Sequence, residues 1–310
     1  MHARRTPLKT LTLALCLSLL ASAATLSRAD AQTKRGAGRP AAPAARTVIF
    51  AVSKYETNVS MEPVVIYSRG VYAKPPIDGD EATVKTFVDD YFKPGRQYRV
   101  LSGGGEAGSL TVKQYQEPGC VGLTAEVSVN TTARLGGNVQ ALATNSSALG
   151  KRAVSRRAPT DIERVFALMQ AQAAYANNRV GAALVKKMEV VNLTATDLDN
   201  DGAFELVGSF RINRTTNQAE DSYNLFMITT PVADYTQQSA QTGKPALVWF
   251  HHGGEADYAE RRFVDQVDID GDGVAEVIAG GGYYESNDYI IYKKQAGSWR
   301  PVYQGGGGGC

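Results

Sequence analysis

The chain has 310 residues, 43% of them hydrophobic and 21% charged, with 31 glycines and 15 tyrosines. That length allows two modest domains, and the composition excludes a disordered chain and suits a β-rich, turn-rich one. The formal charge of +2 becomes about −1 without residues 1–31, which hold Arg4, Arg5, Lys9 and Arg28 against only Asp30, so nothing favours nucleic-acid binding.

The N-terminus reads as a signal peptide, residues 1–31. His2, Arg4, Arg5 and Lys9 are followed by an apolar run over residues 11–20, too short for a membrane span. Small-residue cleavage sites follow at Ala21-Ser22-Ala23 and at Ala29-Asp30-Ala31, the second being preferred. Cys16 lies inside the apolar run after Leu15, which argues against a lipid anchor. The expectation is an exported protein: secreted, periplasmic or at the cell surface, with no membrane span in the mature chain. Residues 32–46, QTKRGAGRPAAPAAR, read as a disordered linker.

An N-terminal β-rich domain with one helix is expected over residues 47–145. TVIFAVSKY (47–55) and EPVVIYSRG (62–70) have the Val, Ile and Tyr content of strands. Residues 80–92 place Val84, Phe87, Val88, Tyr91 and Phe92 on one helical face, and Lys93-Pro94-Gly95 ends the helix. RQYRVLSG (96–103), SLTVKQYQ (109–116) and LTAEVSVN (123–130) read as further strands, with GGGEAG (103–108) as a hairpin turn. Residues 146–158 read as a linker. The basic stretch NSSALGKRAVSRRA around it is expected to be solvated, the alternative being a dock for an anionic surface. A last region, 159–310, opens with a helix whose Thr160 and Glu163 have capping-box spacing and whose apolar face is Ile162, Val165, Phe166, Met169 and Ala173.

The rest of that region repeats itself. DLDNDGAFE (197–205) and DIDGDGVAE (268–276) lie 71 positions apart. Each follows a β-branched approach (MEVVNLTAT; RRFVDQV). Each leads into an outgoing strand (FELVGSFRI; AEVIAGGGYY), a return strand (YNLFMITT; DYIIYKK) and a last strand running into glycines (PALVWFHHGG; WRPVYQGGGG). A hard divalent cation takes six to eight oxygens, which such a loop can supply from positions 1, 3, 5 and 9 and from the carbonyl of position 7. The first set is Asp197, Asp199, Asp201, Ala203 and Glu205; the second is Asp268, Asp270, Asp272, Val274 and Glu276. Gly202 and Gly273 stand where the chain must turn with positive φ. Four carboxylates this close repel one another without a cation, so two Ca²⁺ sites are expected.

These are not EF-hand loops, because position 12 is Gly208 or Ala279 and the flanks are strands, not helices. With ELVGSF and EVIAGG following them, the loops resemble the calcium-binding FG-GAP/VCBS-type repeat of integrin-like β-propellers over residues 186–304. Glu stands where that pattern more often has Asp, the Phe-Gly and Gly-Ala-Pro signatures are missing, and only two repeats are visible. The resemblance implies propeller-like antiparallel β-repeats. Two blades cannot close a propeller. The expected fold is therefore mainly β with two helices, α+β overall: a partial propeller-like or sandwich-like pair of repeats packed with the N-terminal mixed domain. The alternative makes the N-terminal strands degenerate blades.

Without Cys16, Cys120 and Cys310 remain and read as one disulfide; the alternative is a buried Cys120 and an exposed terminal thiol. The glycines at 305–309 allow either a reaching or a loose tail. His251 and His252 fall on opposite faces of a strand and make a poor chelating pair. Nucleophile-elbow, phosphate-loop and zincin motifs do not occur. Together these point to an exported calcium-binding β-repeat protein, a non-enzymatic binding or adhesive module for a protein or glycan. The alternatives are a secreted polysaccharide hydrolase and a structural cell-surface component. Tyr283 and Tyr284 are candidate ligand contacts, and Trp299 a core residue.

Overall fold

The computed structural model describes residues 46–117, 122–214, 221–232, 235–236, 239 and 243–309. The expected signal peptide (1–31), residues 32–45 of the expected linker, Cys120 and Cys310 lie outside these described residues.

The N-terminal strands close on themselves. β1 (Thr47–Tyr55), β2 (Asn58–Ser68), β4 (Gln97–Ser102), β5 (Gly105–Gln116), β6 (Thr124–Thr131) and β7 (Ala141–Thr144) form a six-stranded antiparallel barrel in the order β1-β7-β4-β5-β6-β2, with β2 pairing back onto β1. The short β3 (Val71–Ala73) extends it beyond β2, and α1 (Glu81–Tyr91) adds Phe87 to the barrel's interior cluster. Closure removes the free edges that an open sheet would expose. It also makes these strands a barrel, not propeller blades. On β1, Val48, Phe50 and Val52 point into the barrel, while Ile49 and Ala51 point outward into a second core. Burial on both faces explains why the strand reads as a nearly continuous apolar run.

The second half is built from two four-stranded antiparallel meanders. The first repeat sheet is β8 (Glu189–Thr196), β9 (Glu205–Asn213), β10 (Ser222–Ile228) and β11 (Leu247–Gly253). The second is β12 (Ala259–Val267), β13 (Glu276–Tyr283), β14 (Ser286–Gln295) and β15 (Ser298–Gly309). The acidic loop joins the first two strands of each sheet, so the doubled sequence is a doubled supersecondary unit.

Side-chain alternation stacks the layers. The barrel's outward Ile49, Val65 and Leu142 meet Val264, Ile278 and Ile291 of the second sheet. That sheet's other face, with Val277, Ala279 and Ile290, meets Val207, Phe226 and Ile228 of the first sheet. The first sheet's far face, with Leu206, Phe210 and Met227, is covered by α2 (Asp161–Asn177), with Val185 of the short α3 (Ala182–Val185) at the margin. The order is therefore barrel, second sheet, first sheet, helix. Fully burying a Phe or Ile in such a contact contributes about 1.5–3 kcal/mol.

Three expectations change here. First, α2 buries a different face. Phe166, Ala167, Gln170, Ala171, Ala174 and Tyr175 are buried, whereas Ile162 and Val165 are 57% and 55% exposed. Two polar residues on the buried face hid it. Glu163 is neutralised by Arg157 at 2.7 and 2.8 Å and closes the capping box with Thr160, while Gln170 donates to the Gly243 carbonyl. Second, glycines 305–309 belong to β15 and are not a tail. At Gly306, φ is 73°, and a Cβ would meet the Val64 and Pro63 carbonyl oxygens at 2.7 and 2.8 Å, so only glycine fits between β14 and the barrel. Third, the basic stretch is not simply solvated. Ser155 N–H donates to the Gly103 carbonyl and Arg156 Nη1 to the Val264 carbonyl, threading it between barrel and sheets.

Candidate metal centre

Each acidic loop leaves the end of one sheet strand and returns into the next, so its ends are fixed by the sheet. Its interior is fixed by its own carboxylates. In the first loop, Asp197 accepts from Asp201 N–H at 3.2 Å and Gly202 N–H at 3.0 Å, and Asp201 accepts from Ala203 N–H at 2.7 Å. In the second, Asp268 accepts from Gly271 N–H at 2.9 Å and Gly273 N–H at 3.2 Å, and Asp272 accepts from Val274 N–H at 2.9 Å. The ninth residue closes both loops in the same way. Glu205 accepts from Leu198 N–H at 3.1 Å, and Glu276 from Ile269 N–H at 2.7 Å.

The backbone repeats as well. Gly202 and Gly273 have φ of 88° and 100°, as the spacing required. The fourth position is also left-handed, at 61° for Asn200 and 78° for Gly271. Asn and Gly are residues that tolerate this region. The two loops touch, since Ala275 N–H of the second donates to the Leu198 carbonyl of the first at 2.7 Å.

This folding brings together oxygens of Asp197, Asp199 and Asp201 within 4.8 Å of one another, and likewise oxygens of Asp268, Asp270 and Asp272. Each triad could hold a metal ion. Glu205 and Glu276 stand beside them, 1% and 0% exposed. Burial pushes both carboxyls up to about 7, against the hydrogen bonds from Leu198 and Ile269. Buried carboxylates crowded by other carboxylates gain most from a cation in the loop.

Three basic residues that the sequence did not mark also reach the loops. Lys293 Nζ, on β14, contacts Asp270 and lies 2.6 Å from Asp272 and 3.1 Å from Glu276. Burial alone would lower its ammonium, but these three carboxylates hold it well above the usual lysine range. The next residue, Lys294, points to the other face and meets Asp199 of the first loop at 3.1 Å. Arg152, from the basic stretch, donates to Asp268 at 3.2 Å and to the Gly273 carbonyl. Ser155 of the same stretch donates to the Asp197 carbonyl at 3.1 Å. The anionic surface on which this stretch docks is the chain's own pair of loops.

Tyr67 and Tyr72, on the β2–β3 hairpin, feel the charges of the second loop. Burial first, and then nearby acidic groups, raises both phenols, and Tyr72 Oη is buried without a hydrogen-bond partner. No local signal ties these tyrosines to a loop 200 positions away. His251 and His252 have separate partners, the Asp257 carbonyl and Asp221, and do not converge. Trp299 is core at 5% exposed, whereas Tyr284 is 52% exposed.

Among the described residues, no helix is long and apolar enough to cross a membrane. No protein-family model, curated protein or solved structure matches the chain.

Proposed function

We propose that the two loops bind Ca²⁺ and that the protein is an exported, non-enzymatic β-repeat module whose bound ions rigidify the sheets. The observation that carries this is convergence. Asp270, Asp272 and Glu276 surround one cationic atom, Lys293 Nζ, as the oxygens of a metal site surround an ion. The repeated backbone gives the first loop the same arrangement of acids. A set made only of oxygen ligands suits a hard cation, and several carboxylates with a backbone carbonyl suit Ca²⁺ better than Mg²⁺, which keeps more of its water. A ligand that binds only the folded state raises its melting temperature. Ca²⁺ should therefore raise the transition, EDTA should lower it, and Asp199→Ala and Asp270→Ala should each remove part of the response. Melting curves that coincide with and without Ca²⁺ would sink this reading.

What the rigid frame presents is a polar cleft of about 230 Å³ between the barrel and β12–β14. Glu62, Asn138, Gln140, Arg262 and Asn287 line it, and the side-chain-free Gly280 and Gly282 help to open it. Carboxylate, amide and guanidinium groups of this kind hydrogen-bond sugar hydroxyls. They favour a glycan over an apolar ligand, to be tested by titration with oligosaccharides against Asn138→Ala.

A further inference from the structure

The two loops differ in what already neutralises them, and we propose that they fill in a fixed order. On the reading of both as divalent-cation sites, the first loop takes the ion directly. The second holds Lys293 as a resident cation and takes a divalent ion only by expelling it.

The difference lies in which carboxylates have a cation beside them. In the second loop all four do: Asp268 has Arg152 at 3.2 Å, and Asp270, Asp272 and Glu276 share Lys293. In the first loop, among the described residues, only Asp199 has one, Lys294 at 3.1 Å. Among the described residues, Asp197, Asp201 and Glu205 make no ion pair, and Lys294 acts on Glu205 only at longer range. Four acids against two cations leave the second loop less negative than the first, where four acids face one.

Position reinforces charge. Lys293 is 15% exposed and touches three of the side chains that would ligate an ion, so it occupies their common centre. Lys294 is 31% exposed and touches one carboxylate from the side. The other oxygen of that carboxylate, Asp199 Oδ1, is buried with no hydrogen-bond partner. Glu205, 1% exposed, accepts from Leu198 N–H and, among the described residues, makes no ion pair, Lys294 acting on it only at longer range. The first loop thus keeps one buried acceptor unsatisfied, Asp199 Oδ1, whereas no carboxylate oxygen of the second loop is buried without a partner among the described residues.

An ammonium and a divalent ion cannot share one carboxylate cage. The apparent affinity of the second loop falls by the fraction of molecules in which Lys293 is out. Strand geometry fixes the assignment. Successive side chains of β14 point to opposite faces, so Lys293 serves the loop of its own sheet and Lys294 reaches the loop of the neighbouring one.

Isothermal titration of the purified full chain with Ca²⁺ tests the order. The expectation is a tight class removed by Asp199→Ala and a weak class removed by Asp270→Ala. Lys293→Met should strengthen the weak class by more than about tenfold and leave the tight class within about twofold. Lys294→Met should leave the weak class within about twofold. One ion bound by the parent and two by Lys293→Met would support the same order. If Lys293→Met does not fold without metal, Lys293→Gln prepared in Ca²⁺ and titrated back with chelator makes the comparison. Two equal affinities, a tight class lost in Asp270→Ala, or a weak class unmoved by Lys293→Met overturns the order. Absence of Ca²⁺ binding in the folded parent and in Lys293→Met alike overturns the calcium reading itself.

Discussion

Glu205→Gln separates a loop held by a cation from a loop held by hydrogen bonds. Glu205 is 1% exposed, and burial raises its carboxyl from 4.5 to about 7, with the nearby Asp199 pushing the same way. In the metal-free protein the folded state therefore binds this proton more tightly than the unfolded chain does. The resulting stability is fully present below 4.5 and is lost as the pH rises through about 7. Above that range folding must keep a buried anion. The gap is worth about 3 kcal/mol, at about 1.4 kcal/mol per pH unit. Glutamine keeps the size and an oxygen for the Leu198 N–H but never ionises. In EDTA at about pH 8 the variant should melt higher than the parent, by up to roughly 6–12 °C for a chain of this size. At about pH 4 the two should melt together, since Glu205 is then protonated in both states. In Ca²⁺ the sign reverses: the parent gains stability and the variant loses the first loop's share of that gain. Thermal melts by circular dichroism at both pH values, with EDTA and with millimolar Ca²⁺, read all four conditions. A variant less stable than the parent in EDTA at the higher pH, or a difference independent of pH, refutes the argument.

Glu163 should behave in the opposite sense. Hydrogen bonds from Arg157, against a smaller burial effect, pull its carboxyl down to about 2, so its stability is present above 4.5 and lost as the pH falls through about 2. Glu163→Gln should cost about 2–3 kcal/mol near neutrality and little near pH 2, measured by urea unfolding. Equal costs at both would show that packing, not charge, holds the start of α2. A Cys120–Cys310 disulfide is expected from the two cysteines that remain without Cys16, both of which lie outside the described residues. Peptide mapping without reductant should recover the two cysteines in one cross-linked fragment; quantitative alkylation of both thiols in unreduced protein would exclude the bond.

The periodic elements were legible because their cause is local. The helical spacing of Val84, Phe87 and Val88 predicted α1, the Thr160–Glu163 pair predicted the start of α2, and the doubled acidic loops marked the two meanders. Barrel closure was not legible. It depends on β7, a fully buried Ala-Leu-Ala-Thr stretch with no polar alternation to mark a face, and on pairs such as Ile49 with Thr144. The buried face of α2 was hidden for a related reason. Glu163 and Gln170 are hydrophilic by type, and only their partners, Arg157 and the Gly243 carbonyl, make them interior residues.

The same logic decides what could be read of the candidate metal centre. Its acids declare themselves, since four carboxylates in nine residues create repulsion whatever the rest of the chain does. Its bases do not. Lys293 looks like the solvated end of a strand, and Arg152 like one more cation in a basic stretch, until the fold sets them 3.1 Å from Glu276 and 3.2 Å from Asp268. A repeat in sequence therefore shows two acidic loops built alike, not that the two candidate sites would be equally free to bind. The asymmetry lies in side chains outside the motif, and single substitutions at Lys293 and Lys294 address it while leaving both acidic loops unchanged.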